Sequence, residues 1–293
     1  MDIQELVPVG PKTTMRIGGQ ARFFAEPSTR EDAELCFRFS KENNLPLIVL
    51  GSGSNTVFAD GVIEALVIRL KTDKVEADGN TVRVEAGKNL AMLINELAKK
   101  SLDLSQLAGI PGTVGGAAFG NAGQGPKGIW IDRYIRKVEF YDGAWKTVAR
   151  EECGFSYRES GFKKWKVESG KWKAPIIWRV ILEIPSRPQA EIEREIQSLL
   201  QKRIETQPHI KTAGSCFKAV GDTPAWKLID AAGLRGLKVG DVEIAEKHAN
   251  FLLNVGHATY SDAKSVVERV REKISEPLDV EMRFVELNGS FGF

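Results

Sequence analysis

Apolar positions along the chain follow two periods. Residues 30–44, REDAELCFRFSKENN, set Ala33, Leu35, Cys36 and Phe39 near helical spacing behind a cap at Ser28 or Thr29. Residues 89–100 repeat that pattern, with Asn89 as cap and Leu90, Leu93, Ile94 and Leu97 on one face. The short apolar run Leu47–Leu50 follows a proline and predicts a buried strand. Residues 62–70 and 81–86 predict further strands, with a turn at Asp78-Gly79-Asn80, as do residues 134–141 and 176–184. Two prolines in Pro185-Ser-Arg-Pro188 then interrupt regular structure. Beyond them, residues 189–205 form a charged amphipathic helix bearing Ile192, Ile196, Leu199, Leu200 and Ile204, ended by Pro208. Helices are predicted over 223–232, with Thr223 as cap and Pro224 first, and over 261–274, capped by Ser261. Residues 250–255 and the alternating segment 278–286 predict strands. There is no internal repeat. The pattern is α+β in two parts, residues 1–187 and 188–293.

Composition narrows the classes. A chain of 293 residues, 42% apolar and 27% charged, has enough material for a real core in one large domain or two ordinary ones. No stretch approaches the ~18 apolar residues of a membrane span. The N-terminus MDIQELVPVG carries acids and a proline where a signal peptide has basic residues and an apolar run. The 41 basic residues nearly balance 39 acidic ones, for a net charge of +2, which argues against a nucleic-acid protein. Cys36, Cys153 and Cys216 are odd in number and far apart, with no metal or CxxC spacing, as expected in a reducing cytoplasm. His209, His248 and His257 are too scattered to predict a metal site.

The 28 glycines change the picture, because many fall in two stretches. Gly51-Ser52-Gly53-Ser54-Asn55 follows a predicted strand, where glycines let backbone N–H groups approach an anion. An isolated Gly-x-Gly reads equally as a turn. Thr56 stands where a dinucleotide fingerprint needs glycine, and no Gly-Lys-Ser/Thr follows for a P-loop. The second stretch runs from Gly109 to Gly128. Its core, Gly109-Ile-Pro-Gly112-Thr113-Val-Gly115-Gly116, is too rich in glycine for an ordinary helix or strand and too apolar for a linker. Either a pyrophosphate or flat ring packs against bare backbone there, or the stretch is a tight glycine corner of the core.

Taken with other short pieces, these stretches carry a resemblance. They are Thr14-Met-Arg-Ile-Gly-Gly19, Val49–Asn55, Ala108–Gly116, Asn121-Ala122-Gly123, Phe155-Ser-Tyr157-Arg158-Glu-Ser160 and Ala213-Gly-Ser215-Cys-Phe-Lys218. Glu246-Lys-His248-Ala-Asn250-Phe251 and Leu278-Asp-Val-Glu281-Met-Arg-Phe284 complete the set. In order, across nearly the whole chain, they resemble the UDP-N-acetylenolpyruvoylglucosamine reductase family, in the shorter subclass without a tyrosine-bearing insertion. The resemblance implies a two-part FAD-binding domain of the vanillyl-alcohol-oxidase/PCMH type and a C-terminal α+β substrate-binding domain. It implies bound FAD, NADPH as reductant and UDP-N-acetylenolpyruvoylglucosamine as substrate, in peptidoglycan precursor synthesis in the cytoplasm. No nucleic acid, membrane or obligate protein partner is implied.

The resemblance assigns FAD contacts to Gly51, Ser52, Gly53, Ser54 and Asn55, and to Gly109, Gly112, Thr113, Gly115, Gly116, Asn121, Ala122 and Gly123. It makes Arg158, Ser215 and Glu281 catalytic. Arg158 suits a carboxylate and a developing enolate, Ser215 would protonate carbon, and Glu281 would help polarise the enolpyruvyl group. Read without it, Arg158 is a solvated charge, Ser215 a cap or solvated hydroxyl, and Glu281 a surface partner of Arg283. No Gly-x-Ser-x-Gly elbow is present, which disfavours a hydrolase nucleophile. Tyr157, Lys218, His248 and Asn250 are candidate substrate contacts, although His248 reads equally as structural. One departure is Ala219-Val220 after Lys218, where the family usually has Asn-Pro. Two other readings stay open: a flavin oxidoreductase of the same domain type acting on another substrate, and a catalytically silent flavin- or nucleotide-sugar-binding relative.

Overall fold

The computed structural model describes residues 1–124, 128–164 and 175–293, so residues 125–127 of the second glycine-rich stretch lie outside the described residues. In chain order the first part comprises β1 (Ile3–Pro8), β2 (Gln20–Ala25), α1 (Arg30–Glu42), β3 (Leu47–Val49), β4 (Thr56–Phe58) and β5 (Val62–Ile68). It continues with β6 (Val75–Asp78), β7 (Thr81–Glu85), α2 (Leu90–Ala98), α3 (Val114–Gly120), β8 (Ile135–Tyr141), β9 (Trp145–Ala149) and β10 (Ile176–Glu183). Then follow α4 (Gln189–Thr206), β11 (Thr212–Ser215), α5 (Ala225–Ala231), β12 (Lys238–Val239), β13 (Val242–Ile244), β14 (Phe251–Asn254), α6 (Tyr260–Lys273), β15 (Arg283–Val285) and β16 (Phe291–Gly292). The α+β reading holds.

Local chemistry sets the helix starts. Thr29 accepts from the Asp32 N–H while Asp32 accepts from the Thr29 N–H, a reciprocal cap for α1. Asn89 accepts from the Met92 N–H and caps α2, whose Leu90, Leu93, Ile94 and Leu97 are buried as predicted. Two expected caps differ. Thr259, not Ser261, caps α6, because Asp262 sits three positions on and completes the reciprocal pair. Pro224, not Thr223, precedes α5, and the Thr223 N–H instead joins a reciprocal pair of backbone bonds with Val220.

The strands form four sheets, ordered β1-β2-β5-β3, β6-β7-β10-β8-β9, β11-β14-β13-β12 and β16-β15-β4. The five-stranded sheet is antiparallel throughout, and α2 and α3 share its core with Val82, Val138 and Val180. A second core packs α5 and α6 on the β11–β14 sheet. Two segments cross the expected 187/188 division. Ile192 and Ile196 of α4 pack into the first core. β15 pairs in parallel with β4, so Arg283 lies opposite Thr56.

One strand expectation is shortened, and one expectation against regular structure is overturned. Of the predicted strand 278–286 only Arg283–Val285 is regular, with Val280 in an isolated bridge to Phe217. The second glycine stretch, judged unfit for a helix, contains one in α3. Tertiary contact overrides propensity there: an added Cβ at Gly115 would stand 2.7 Å from the Ala86 Cβ, so only glycine lets α3 seat against the end of β7.

Candidate active site

Residues of both parts line one cleft of about 1740 Å³. That exceeds the usual ~300–1,000 Å³ of a single-ligand pocket and leaves room for more than one ligand. Its lining includes nine Lys and Arg side chains and one carboxylate, Glu281. On a chain of net charge +2, this concentrates positive potential where ligands enter.

The Gly51–Asn55 loop forms one wall, between β3 and β4. The backbone N–H groups of Ser52, Gly53, Ser54 and Asn55 have no acceptor among the described residues. Such a run of free donors makes an anion-binding concavity. Gly53 takes φ +68°, and a Cβ there would lie 2.6 Å from the Lys12 carbonyl oxygen, so the turn depends on glycine. Arg16 and Arg69 line the same region. Burial lowers the pKa of the Arg69 guanidinium, which donates to the Lys12 carbonyl at 2.6 Å. Arg16 lies in the Thr14–Gly19 piece that carries the resemblance, although no role was attached to it there, whereas nothing in the sequence separates Arg69 from the other basic residues.

The second glycine stretch contributes Gly109, Gly112, Thr113, Gly115, Gly116, Ala122 and Gly123 to the lining. The start of α3 is not a free anion site. Its N–H groups at Val114, Gly115, Gly116 and Ala117 donate to Lys88 O, Ala86 O, Thr113 Oγ1 and Thr113 O. Asn121 lies outside the lining. It is fully buried, accepts from the Asp132 N–H and donates to the Ser156 carbonyl, which braces the arginine loop.

The three catalytic candidates come together. The Arg158 Nε lies 3.1 Å from Glu281 Oε1, off the hydrogen-bond direction, so the pair is a charge contact and this buried N–H has no hydrogen-bond partner among the described residues. Arg158 also has φ +56°, an unusual conformation for a side-chain-bearing residue. Glu281 is held by its N–H bond to the Cys216 carbonyl, next to Ser215. Burial raises the Glu281 pKa, and Arg158, Lys163 and Lys218 oppose that shift. Ser215 lines the cleft, and its hydroxyl has no partner among the described residues. Cys216 points away from the cleft into the second core, and burial drives its thiol pKa well up, as the alternation of an extended segment requires.

The remaining candidates divide. Tyr157 lines the cleft and accepts from the Ala219 N–H at 3.3 Å. Lys218 is not in the lining; its ammonium sits 2.5 Å from Glu159. Asn250 lines the cleft, but its amide accepts from the Phe217 N–H and donates to the Phe217 carbonyl, which anchors the serine segment. His248 lines the cleft beside Trp226 and Phe251, and burial lowers its pKa. Sequence reasoning missed Lys163, Arg203 and Arg283 in the lining. Arg283, a surface partner of Glu281 when the sequence is read without the resemblance, is half-buried against Phe291 and Phe119, and burial lowers its pKa to about 10. The described residues contain no cluster of His, Cys, Asp or Glu able to hold a metal ion.

Comparison with known proteins agrees with this architecture. Residues 21–146 match a family described as FAD binding domain. Residues 206–285 match the family described as UDP-N-acetylenolpyruvoylglucosamine reductase, C-terminal domain. The UDP-N-acetylenolpyruvoylglucosamine reductase of Aquifex aeolicus is 37% identical over 98% of this chain and 96% of its own length. That of Moorella thermoacetica is 36% identical over 94% and 89%. The crystal structure of the Thermus caldophilus reductase superposes with a TM-score of 0.82 at 34% identity, covering 97% of this chain and 99% of that one. With relatives this similar along both parts and a fold that matches from end to end, the chain belongs to the UDP-N-acetylenolpyruvoylglucosamine reductase family.

Proposed function

We infer that this chain is an oxidoreductase that reduces UDP-N-acetylenolpyruvoylglucosamine to UDP-N-acetylmuramate, with FAD bound and NADPH as reductant, in peptidoglycan precursor synthesis. The observation that carries the catalytic assignment is the meeting of Arg158, Ser215 and Glu281 in one cationic cleft.

The residues fit a dinucleotide flavin. The free N–H groups of Ser52–Asn55 and the flanking Arg16 and Arg69 suit a pyrophosphate, and the glycine stretch from Gly109 offers bare backbone to a flat ring. FAD bound there would supply the hydride chemistry that links NADPH to the enolpyruvyl carbon.

The protein's own share is placement and charge. Hydride added at the terminal methylene carbon leaves negative charge on the adjacent carbon and its carboxylate. Arg158, a guanidinium whose Nε has no hydrogen-bond partner among the described residues, stabilises that charge. Glu281, whose protonated form burial favours, completes the pocket for the developing oxyanion. The Ser215 hydroxyl delivers the proton to that same carbon. Lys218 does not face the cleft that Ser215 lines, and its ammonium is bonded to Glu159. Tyr157 and His248, both in the cleft lining, are the proposed substrate contacts.

Residues 1–187 serve chiefly the flavin and 188–293 the nucleotide sugar. The cytoplasm is the proposed location; no helix among the described residues is long and apolar enough to cross a membrane. The experiment is direct. The purified protein should be yellow, bleach anaerobically with NADPH, and regain colour on adding the enolpyruvyl sugar. A flavin-loaded protein that bleaches but is not reoxidised by that sugar would overturn the substrate assignment.

A further inference from the structure

The residues on either side of Arg158 reach the same stretch of the second part. Tyr157 accepts from the Ala219 N–H, and Glu159 Oε1 lies 2.5 Å from Lys218 Nζ. Lys218 and Ala219 continue the strand segment that carries Ser215. That segment in turn holds the glutamate: Lys218 N–H donates to Asp279 O at 2.9 Å, and Glu281 N–H donates to Cys216 O at 2.7 Å.

On its other side, the arginine loop is fastened to the first part. Asn121 donates to Ser156 O at 2.9 Å, and Ser160 Oγ donates to Phe119 O at 2.6 Å. Ser156 and Glu159 exchange backbone hydrogen bonds of 3.1 and 3.0 Å, closing a tight turn around Arg158. Lys163 donates to the Arg158 carbonyl, and its ammonium lies 3.5 Å from the same Glu159 oxygen. A left-handed backbone at a bulky residue persists only where its surroundings over-determine it, and these bonds do so.

We propose that Glu159 is a positioning residue: through Lys218 it ties the arginine loop to the serine segment, and so fixes Arg158 relative to Ser215 and Glu281 across the division of the chain. Glu159 is absent from the cleft lining, so it acts through its neighbours. Two ammonium groups share this one carboxylate, with Arg158 and Arg283 close by. Burial raises the Glu159 pKa, but the Lys218 hydrogen bond and the Lys163 charge outweigh it and hold the carboxyl below its usual range. Without the carboxylate, Lys218 and Lys163 face uncompensated positive charge and the loop loses its tie to the second part. The step that needs Arg158, Ser215 and Glu281 together is sugar reduction; bleaching by NADPH needs only the flavin and the nicotinamide. Small misplacements of oriented groups cost up to about 10²-fold.

The inference rests on the proposed reaction, and the test separates the two. Glu159→Gln, Glu159→Asp, Lys218→Met and the Glu159→Gln/Lys218→Met double variant are compared by rapid mixing, with flavin content and thermal melting measured in parallel. First the wild type must show reoxidation by the enolpyruvyl sugar; if it does not, the reaction assignment fails and not the tie. Given that, Glu159→Gln should bleach with NADPH near the wild-type rate and reoxidise roughly ten- to a hundredfold more slowly. Glu159→Asp should fall between, and the double variant should be no slower than the worse single one. Wild-type reoxidation in Glu159→Gln, equal slowing of both half-reactions, or multiplying losses in the double variant would each overturn the proposal. If Glu159→Gln does not fold, Glu159→Asp and Lys218→Met carry the same comparison.

Discussion

The N–H of Glu281 donates to the carbonyl of Cys216 at 2.7 Å, so the glutamate and the serine beside that cysteine are set by one backbone bond. Ser215 faces the cleft and Cys216 the core, on opposite sides of the same segment. Ser215→Ala should therefore spare bleaching by NADPH and slow reoxidation by the sugar about 10²–10⁴-fold, the usual contribution of general acid catalysis. Ser215→Cys should recover part of that loss. Cys216→Ala should keep both rates and lose on the order of 1 kcal/mol of stability. Rapid mixing with melting curves tests all three, and a Cys216→Ala enzyme that fails where Ser215→Ala succeeds would reverse the assignment.

Adjacent glycines in the second stretch should behave differently. A Cβ at Gly115 meets Ala86 at 2.7 Å, whereas one at Gly116 meets only Thr113 Oγ1 at 3.3 Å. Gly115→Ala should cost about 1–3 kcal/mol through overpacking, with flavin loss following from the displaced helix. Gly116→Ala should melt near the wild type. Thermal unfolding of the flavin-free proteins measures this, and equal melting temperatures would refute it.

Arg203 of α4 lines the cleft with a buried Nε that has no partner among the described residues, and burial together with the nearby Arg158 charge lowers its pKa. Its Nη1 donates to Gln207, but a partly buried cation with no acidic partner among the described residues destabilises the empty site and favours an anionic ligand. Arg203→Met should raise the melting temperature of the flavin-free protein and weaken ligand binding about tenfold or more. Differential scanning fluorimetry with and without FAD or the nucleotide sugar checks it. A variant that is both less stable and unchanged in affinity would contradict the reading.

The Glu159 carboxyl titrates below its ordinary value of 4.5 in the folded chain. A group depressed in this way stabilises the fold above its unfolded pKa, and the contribution disappears as pH falls through the lower, folded value. The stability gap between wild type and Glu159→Gln should thus be constant at neutral pH and shrink below about pH 4.5. Denaturant unfolding across pH 3–7 measures it; a gap that widens toward acid would show the shift to have the opposite sign.

The periodic elements were legible in the sequence because their buried faces repeat: α1, α2, α4 and α6 stand where the apolar spacing put them, as does β10. Helix α3 was not, because close packing at Gly115 is a tertiary fact that local propensity hides. The short edge strands β4 and β12 carry too few residues to show a period, and β1 has no buried face to repeat. Among site residues, motif glycines and Ser215 could be found by resemblance, whereas Arg203 and Lys163 belong to segments that read as ordinary charged surface until folding turns them inward. Asn250 illustrates the converse, a motif residue whose amide is spent on the Phe217 backbone.

The parallel pairing of β4 with β15 has a consequence for biogenesis. The strand that continues directly from the Ser52–Asn55 donors finds its partner only in Arg283–Val285, almost at the end of the chain. Asn55 itself accepts from the Arg283 N–H and donates to the Glu281 carbonyl. Long-range closure of this kind forms late. A polypeptide released before Arg283–Val285 is made leaves β4 without this strand and Asn55 without both bonds, so the proposed flavin cradle at Ser52–Asn55 takes its final shape only after that distant segment has been synthesised.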